Sequence, residues 1–211
     1  MVYSDTINLS FNNYHGMLLY KNNDQRNEIL INLLNKELAK GHICIYAPVD
    51  LYNSENNSSI SAISSKILNY HENIQSGNLQ IINMRHYYES AIRRGMRTFN
   101  NIKAGLQKSQ RRRRYDDGKT RKEILVITDI NFSLLQNKYV GQCFAVEEWL
   151  GNVHSEYVQN NQYVTILCLY PKFLLSSTLD GHLKLIRDKL VELHAITIDV
   201  AVDSSSILSE Y

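Results

Sequence analysis

Continuous apolar runs that alternate with helical patterns constrain the fold of this chain more than any other feature. The runs Ile124-Leu-Val-Ile and Val164-Thr-Ile-Leu-Cys-Leu do not alternate between apolar and polar residues, which is typical of parallel strands covered on both faces. Strands are predicted at 15–20, 42–47, 79–84, 123–130, 163–170 and 195–200. Helices are predicted at 24–40, 58–72, 90–109, 136–159 and 180–193. This order predicts an α/β fold with a mostly parallel sheet and helices on both faces.

The length and composition fit one compact domain. The chain has 211 residues, of which 44% are hydrophobic, and this is enough to bury a full core. We expect a lead-in at 1–13, a single domain at 14–202 and a flexible tail at 203–211. No apolar run approaches the roughly 18 residues of a membrane span, and the N-terminus does not resemble a signal peptide. A cytoplasmic protein with no membrane partner is therefore expected.

The cysteines indicate neither a disulfide framework nor a zinc site. Cys44, Cys143 and Cys168 are widely spaced and form no C-x-x-C motif. Each is expected to be a small buried residue with an inert thiol.

The turn after the first strand occupies the place of a phosphate-binding loop but lacks its chemistry. A P-loop reads G-x-x-x-x-G-K-[ST], in which glycines let backbone N–H groups surround the phosphates. Here the chain has no glycine between Gly16 and Gly41, and Lys21 stands before the helix with no Ser or Thr beside it. We expect no ATP hydrolysis, no catalytic residues and no cofactor.

Asp129 ends the apolar run that begins at Ile124, in the way that a Walker B strand presents a carboxylate to Mg²⁺. Without a phosphate loop the metal would lack its substrate. We therefore assign Asp129 to a helix cap or a polar pocket wall.

Basic residues are concentrated in one stretch. Residues 85–122 carry thirteen Lys or Arg and three acids, a net charge of +10, whereas the whole chain carries +2. Arginine clusters favour phosphate, so weak nucleic-acid binding is one hypothesis for this stretch, and a solvated loop is the alternative. The residues assigned to such binding are Arg111, Arg112, Arg113, Arg114, Lys119, Arg121 and Lys122.

For isolated acids and histidines we expect structural roles and no part in catalysis or metal binding. Glu147 lies off or at the edge of the apolar stripe of the 136–159 helix, and we expect it to be solvated. His15, His42 and His194 begin or precede apolar runs, where a structural hydrogen bond is expected rather than ligation. No H-x-x-x-H or H-E-x-x-H motif occurs, and no metal site is predicted.

Ligands of open α/β sheets bind at the carboxyl ends of the strands. That rim gathers tyrosines, cations and acids suited to a small, partly apolar or anionic ligand. The predicted ligand-binding residues are Tyr20, Lys21, Asp50, Arg85, Asp129 and Tyr170.

The order of several short motifs resembles the MEDS domain, the sensory domain of the DcmR type of regulator. The motifs are His15-x4-Tyr20, Ala39-Lys-Gly41, His42-Ile-Cys-Ile-Tyr46, Ser76-Gly-Asn-Leu-Gln-Ile-Ile82, the Glu-rich helix, Cys168-Leu-Tyr170 and His194. They span about residues 14 to 200, nearly the whole chain. The stretch near 108–122 departs from the pattern as a basic insertion, and Asp129 stands where relatives often carry glycine.

The resemblance implies a three-layer RecA-like fold, related to KaiC-like ATPases with a degenerate P-loop. It also implies a sensory role, with an unknown small molecule as ligand and a regulatory protein as partner. Related ATPases form rings or dimers, so self-association is expected by analogy alone. The hypothesis from the sequence is a non-enzymatic sensory or regulatory module. Its alternatives are a nucleic-acid-associated protein that uses residues 85–122 and a residual nucleotide-binding ATPase.

Overall fold

The fold was obtained as a computed structural model, which describes residues 13–48, 63–84, 123–129, 140–160, 162–175 and 181–199. Its strands are β1 (His15–Tyr20), β2 (Ile43–Pro48), β3 (Leu79–Ile81), β4 (Ile124–Asp129), β5 (Val164–Pro171) and β6 (Ile196–Asp199). Its helices are α1 (Asn23–Ala39), α2 (Tyr70–Ser76), α3 (Val140–Gln159) and α4 (Gly181–Leu193), with a 3-10 turn at Lys172–Leu175. The predicted strands are confirmed, with ends that differ by at most three residues.

The strands form one six-stranded sheet in the order β3-β2-β4-β5-β1-β6. Every pairing is parallel. The register places Leu18 of β1 beside Leu169 of β5, and Leu169 beside Asp129 of β4. Because β2 pairs Pro48 with Asp129, the carboxyl ends of β1, β2, β4 and β5 meet along one edge of the sheet.

Helices cover both faces of the sheet, so the predicted three-layer α/β architecture is confirmed. One core packs α1 against the face that carries Leu18, Cys44 and Ile127. The other core packs α3 and α4 against the face that carries Met17 and Ile166. All residues of β2 and β5 are buried, which explains why these strands are apolar without alternation.

The helix predicted at 58–72 is confirmed in part, because Ile63 and Ser64 are helical but residues 65–69 form turns, and 58–62 lie outside the described residues. A separate helix, α2, then runs from Tyr70 to Ser76. Asn69 precedes it with a φ of 50°, and a left-handed residue of this kind interrupts a helix. Ile63 and Ile67 pack into the α1 core, so the apolar spacing that suggested one longer helix comes from core contacts.

Other predictions fall outside the described residues. These are the lead-in up to residue 12, the helix at 90–109, the basic insertion near 108–122 and the tail at 203–211. Among the helices that the structure describes, none combines the length and the hydrophobicity that a membrane span needs.

Candidate functional site

Two side-chain clusters lie on opposite faces of the sheet, and the first is at the carboxyl ends of the strands. Asp129 ends β4, and Arg26 lies in the second turn of α1 with Nη1 3.1 Å from Asp129 Oδ2. Both side chains are largely shielded from water, with exposed fractions of 20% and 11%. Tyr20 from β1 and Tyr46 from β2 complete this group, which we call the strand-end cluster.

The tyrosines of the strand-end cluster bind its two charged groups. Tyr20 is hydrogen-bonded to Arg26, and Tyr46 to Asp129. Burial and then the charge of Asp129 raise the pKa of Tyr20 to about 12, and the same two causes raise that of Tyr46 further. Both hydroxyls are therefore neutral near pH 7, and the Tyr46 hydroxyl donates to the Asp129 carboxylate.

The turn before α1 is short and capped by its own side chains. Only Lys21 and Asn22 separate β1 from α1. Asn22 Oδ1 accepts a hydrogen bond from the Gln25 backbone N–H at 2.9 Å, and Gln25 Oε1 accepts one from the Lys21 N–H at 2.6 Å. Asp24 adds a negative charge in the first turn of the helix. A phosphate at this N-terminus would meet an occupied N–H group and a repelling carboxylate.

The structure brings together part of the predicted rim. Tyr20 and Asp129 share the strand-end cluster, and Lys21 lies beside it with an exposed side chain. Tyr170 does not line the rim, because its side chain is fully buried on the opposite face of the sheet. Asp50 and Arg85 lie outside the described residues, as do all the arginines and lysines assigned to nucleic-acid binding. Those assignments stay predictions.

The second cluster is buried between the sheet and helices α3 and α4. It contains His15 at the start of β1, Glu147 on α3, Cys168 in β5 and His194 just after α4, and we call it the buried quartet. None of the four is more than 6% exposed. One donor atom from each lies within 4.8 Å of all the others, so a nitrogen, oxygen and sulfur set of the kind that transition metals bind is assembled here.

One carboxylate oxygen is the centre of the measured contacts. Oε2 of Glu147 lies 3.5 Å from His15 Nε2, 3.3 Å from His194 Nε2 and 3.3 Å from Cys168 Sγ. Cys168 Sγ lies 3.4 Å from His15 Nε2. The other oxygen, Oε1, accepts a hydrogen bond from the Tyr170 hydroxyl at 2.7 Å.

Electrostatics keep Glu147 ionised although it is completely buried. Burial by itself raises the pKa of Glu147, but the adjoining rings of His15 and His194 outweigh burial and lower it to about 2. Burial and then the charge of Glu147 raise the pKa of Cys168 well above its usual range. The site thus holds a carboxylate and, with no cation present, a neutral thiol.

The expectation that Glu147 is solvated is wrong. Glu147 lies four residues after Cys143 and three before Leu150, both of which are buried. This spacing places it on the face of α3 that meets the sheet. His15 and His194 were expected to make structural hydrogen bonds, and no local sequence pattern connects them with Glu147. The prediction that the three cysteines are buried and free is confirmed for the structure as described.

A third polar group, at the amino ends of the strands, is held by ordinary hydrogen bonds. Glu37 is 1% exposed and accepts bonds from Lys40 Nζ and from His42 Nδ1, each at 2.7 Å. Glu123 lies 3.8 Å from the same nitrogen of His42. The predicted structural hydrogen bond of His42 is confirmed.

A mainly apolar cavity of about 50 Å³ adjoins β2, β4 and α3. Its lining includes Ile45, Val126, Trp149 and Tyr157. Residues 85–122 of the connection from β3 to β4 lie outside the described part of the chain, and no site is assigned to this cavity.

Comparison with known proteins supports the fold. No protein-family model and no curated protein match the sequence. Among solved structures, the chain is similar to the ATPase domain of a RecA-like helicase, with a TM-score of 0.54 and 10% sequence identity. The alignment covers 94% of this chain and 72% of that chain. At this identity the likeness concerns the fold alone, and the chain accordingly has a RecA-like α/β fold.

Proposed function

We propose that this chain is a RecA-like domain that has given up nucleotide hydrolysis and acts as a non-enzymatic regulatory module responding to a ligand. The observation that carries the proposal is the ion pair between Arg26 and Asp129. Asp129 has the position in which ATPases of this fold present a carboxylate to Mg²⁺. Here an arginine of the same chain neutralises it.

The turn after β1 supports the same conclusion. A phosphate-binding loop needs several consecutive residues, with free N–H groups directed at the phosphates. Two residues connect β1 to α1, and the Gln25 N–H is bound to Asn22. Neither the length nor the polarity of this turn suits a triphosphate.

A sensory role agrees with the resemblance to the MEDS domain. The residues that carry the resemblance include His15, Cys168, Tyr170 and His194, and all four surround Glu147. We infer that this domain belongs to the same sensory type and that a small ligand acts through the strand-end cluster or its neighbourhood.

Isothermal titration with Mg·ATP, together with a phosphate-release assay, tests the loss of nucleotide chemistry. We expect no binding in the micromolar range and no turnover above the level of Asp129→Asn. Lys184→Ala is the matched control, because Lys184 is an exposed lysine of α4, on the other face of the sheet. Micromolar affinity with turnover that Asp129→Asn abolishes would instead identify a residual ATPase.

A thermal-shift screen with small organic molecules and anions tests the ligand response. A ligand present at about 100 times its Kd stabilises the native state by about 2.7 kcal/mol. A hit whose shift is lost in Arg26→Ala and kept in Lys184→Ala, a change of an exposed lysine in α4 on the other face of the sheet, would place the ligand at the strand-end cluster. A broad screen without hits would remove the support for a small organic ligand.

A further inference from the structure

The contacts of Glu147 with two histidines are too long for the charged hydrogen bonds that this protein makes elsewhere. His42 Nδ1 lies 2.7 Å from Glu37 Oε2, and Lys172 Nζ lies 2.7 Å from Asp199 Oδ2. These lengths are normal for charge-assisted bonds, at about 2.7–2.9 Å. His15 and His194 instead stand 3.5 Å and 3.3 Å from Glu147 Oε2.

The rings of the two histidines are also incompletely satisfied. His194 Nδ1 lies 2.6 Å from the Leu190 carbonyl and donates to it, so Nε2 of the neutral ring carries a lone pair directed at the quartet. Within the described part of the chain, His194 Nε2, which faces the quartet, has no hydrogen-bond partner, and neither has His15 Nδ1, which faces away from it toward Gly151. Buried nitrogens without partners are costly and call for an explanation.

A cation at the centre of the quartet explains the spacing. Zinc lies about 2.0–2.2 Å from nitrogen or oxygen ligands and about 2.3 Å from sulfur. Ligands at the corners of a tetrahedron are separated by roughly 1.6 times the bond length, or about 3.3–3.7 Å. The four separations measured among the donors of the quartet run from 3.3 to 3.5 Å.

We propose that His15, Glu147, Cys168 and His194 bind one divalent transition-metal ion of the zinc class in tetrahedral geometry. The donors are Nε2 of both histidines, one carboxylate oxygen and the thiolate. This site goes beyond the proposed function and lies on the other face of the sheet from the strand-end cluster. The proposal of a metal site and the proposal that ATP hydrolysis has been lost can therefore be tested and rejected independently of each other.

The charges balance when the metal is bound. Binding removes the thiol proton of Cys168, and any proton on the two coordinating imidazole nitrogens, and these protons pass to solvent, while Glu147 is already ionised. One thiolate and one carboxylate then neutralise a divalent cation. A neutral assembly suits donors that are almost completely buried, because an uncompensated charge there would be costly.

Neighbouring groups hydrogen-bond to two of the proposed ligands and fix their orientation, as is usual in metal sites. The Tyr170 hydroxyl fixes the second oxygen of Glu147, and the Leu190 carbonyl fixes the tautomer of His194. Such outer partners orient ligands and tune affinity. Four protein ligands leave no coordination position for water, which is typical of structural or regulatory zinc and not of catalytic zinc.

Metal occupancy would connect four separate elements. His15 is in β1, Cys168 is in β5, Glu147 is on α3 and His194 follows α4. A bound ion therefore links α3 and α4 to strands β1 and β5. Its loss removes these links. Binding or release of the ion would thus change how α3 and α4 pack on the sheet, which is the kind of response that a sensory domain needs.

Titration of the metal-free full-length chain with Co²⁺ tests the proposal. Tetrahedral cobalt bound to a thiolate gives a sulfur-to-cobalt charge-transfer band and intense visible bands. We expect both, at one cobalt per chain, and displacement of cobalt by Zn²⁺. Zn²⁺ should also raise the melting temperature, whereas Mg²⁺ should not. An absent charge-transfer band, or no shift with Zn²⁺, would overturn the proposal.

Variants locate the metal. Cys168→Ser should remove the charge-transfer band, while Cys44→Ala and Cys143→Ala, which change the other two buried thiols, should keep it. Tyr170→Phe keeps all four ligands and should lower zinc affinity by about 10-fold to about 100-fold. A band that survives in folded Cys168→Ser would show that the metal lies elsewhere. If Cys168→Ser does not fold, His194→Gln supplies the same test through loss of the tetrahedral visible bands.

Discussion

Arg26 and Asp129 form an ion pair of 3.1 Å at the carboxyl end of β4. The pair joins α1 to the end of β4 and is mostly shielded from water. Arg26 thereby neutralises the charge of the Asp129 carboxylate.

A double-mutant cycle on Arg26→Ala and Asp129→Asn measures this pair. Because each residue is largely buried, we expect a coupling free energy of about 1–3 kcal/mol in chemical unfolding. The matched control is Lys172→Ala with Asp199→Asn, a pair whose members are 52% and 47% exposed, for which about 0–1 kcal/mol is expected. Equal coupling in the two cycles would contradict the structural role of Arg26.

Tyr170 and Tyr157 are both buried, but only the Tyr170 hydroxyl makes a hydrogen bond among the described residues, so removing the two hydroxyls should change stability differently. The Tyr170 hydroxyl donates to Glu147 at 2.7 Å, so Tyr170→Phe in the metal-free protein should lower the free energy of unfolding by about 1–3 kcal/mol. The Tyr157 hydroxyl is buried and has no hydrogen-bond partner among the described residues. Tyr157→Phe should be neutral or stabilising, and a reversed order of the two losses would count against the described geometry.

Two glycines of α3 test the packing of His15. A Cβ at position 151 would lie 3.3 Å from His15 Nδ1, whereas a Cβ at 141 would meet nothing within 4 Å. Gly151→Ala should displace the His15 ring by a few tenths of an ångström and weaken cobalt binding. Gly141→Ala should leave binding unchanged and, through helix propensity, raise stability by up to about 1 kcal/mol. Identical cobalt affinities for the two variants would refute the contact.

His154 gives the protein a defined pH dependence. Burial lowers the pKa of His154, the hydrogen bond to the Asn13 backbone partly opposes this, and the charge of His15 adds to it. A lowered folded pKa means that the unfolded chain binds the proton more readily, so stability falls as the pH drops through the unfolded pKa of about 6.5.

The measurement is chemical unfolding between about pH 8 and about pH 5. His154→Gln should lose less stability on acidification than the unmodified protein. His182→Gln, at an exposed histidine of α4, should follow the unmodified protein. Parallel pH profiles for all three proteins would exclude His154 as a source of the dependence.

The centre of the sheet could be predicted from sequence because β1, β2, β4 and β5 each carry a run of mainly apolar residues, whereas the edge strands β3 and β6 are short and mix apolar with polar residues. Arg26 escaped prediction although it precedes Leu30 by four residues and so lies on the buried face of α1. The quartet was harder to predict, since Glu147 and Cys168 are more than a hundred residues from His15 and no local spacing connects them. The strand order places Cys168 of β5 near His15 of β1, and the packing of α3 on this face of the sheet adds Glu147.

Diffraction at the zinc absorption edge, from crystals grown with Zn²⁺ and a non-hydrolysable Mg·ATP analogue, tests the central claim most directly. The claim is that the chemistry of this RecA-like domain has moved from the strand-end turn to the buried quartet. We predict one anomalous peak about 2.0–2.3 Å from the four donor atoms and no nucleotide at Lys21 and Asn22. A triphosphate at that turn, with Mg²⁺ beside Asp129 and no peak in the quartet, would contradict the account.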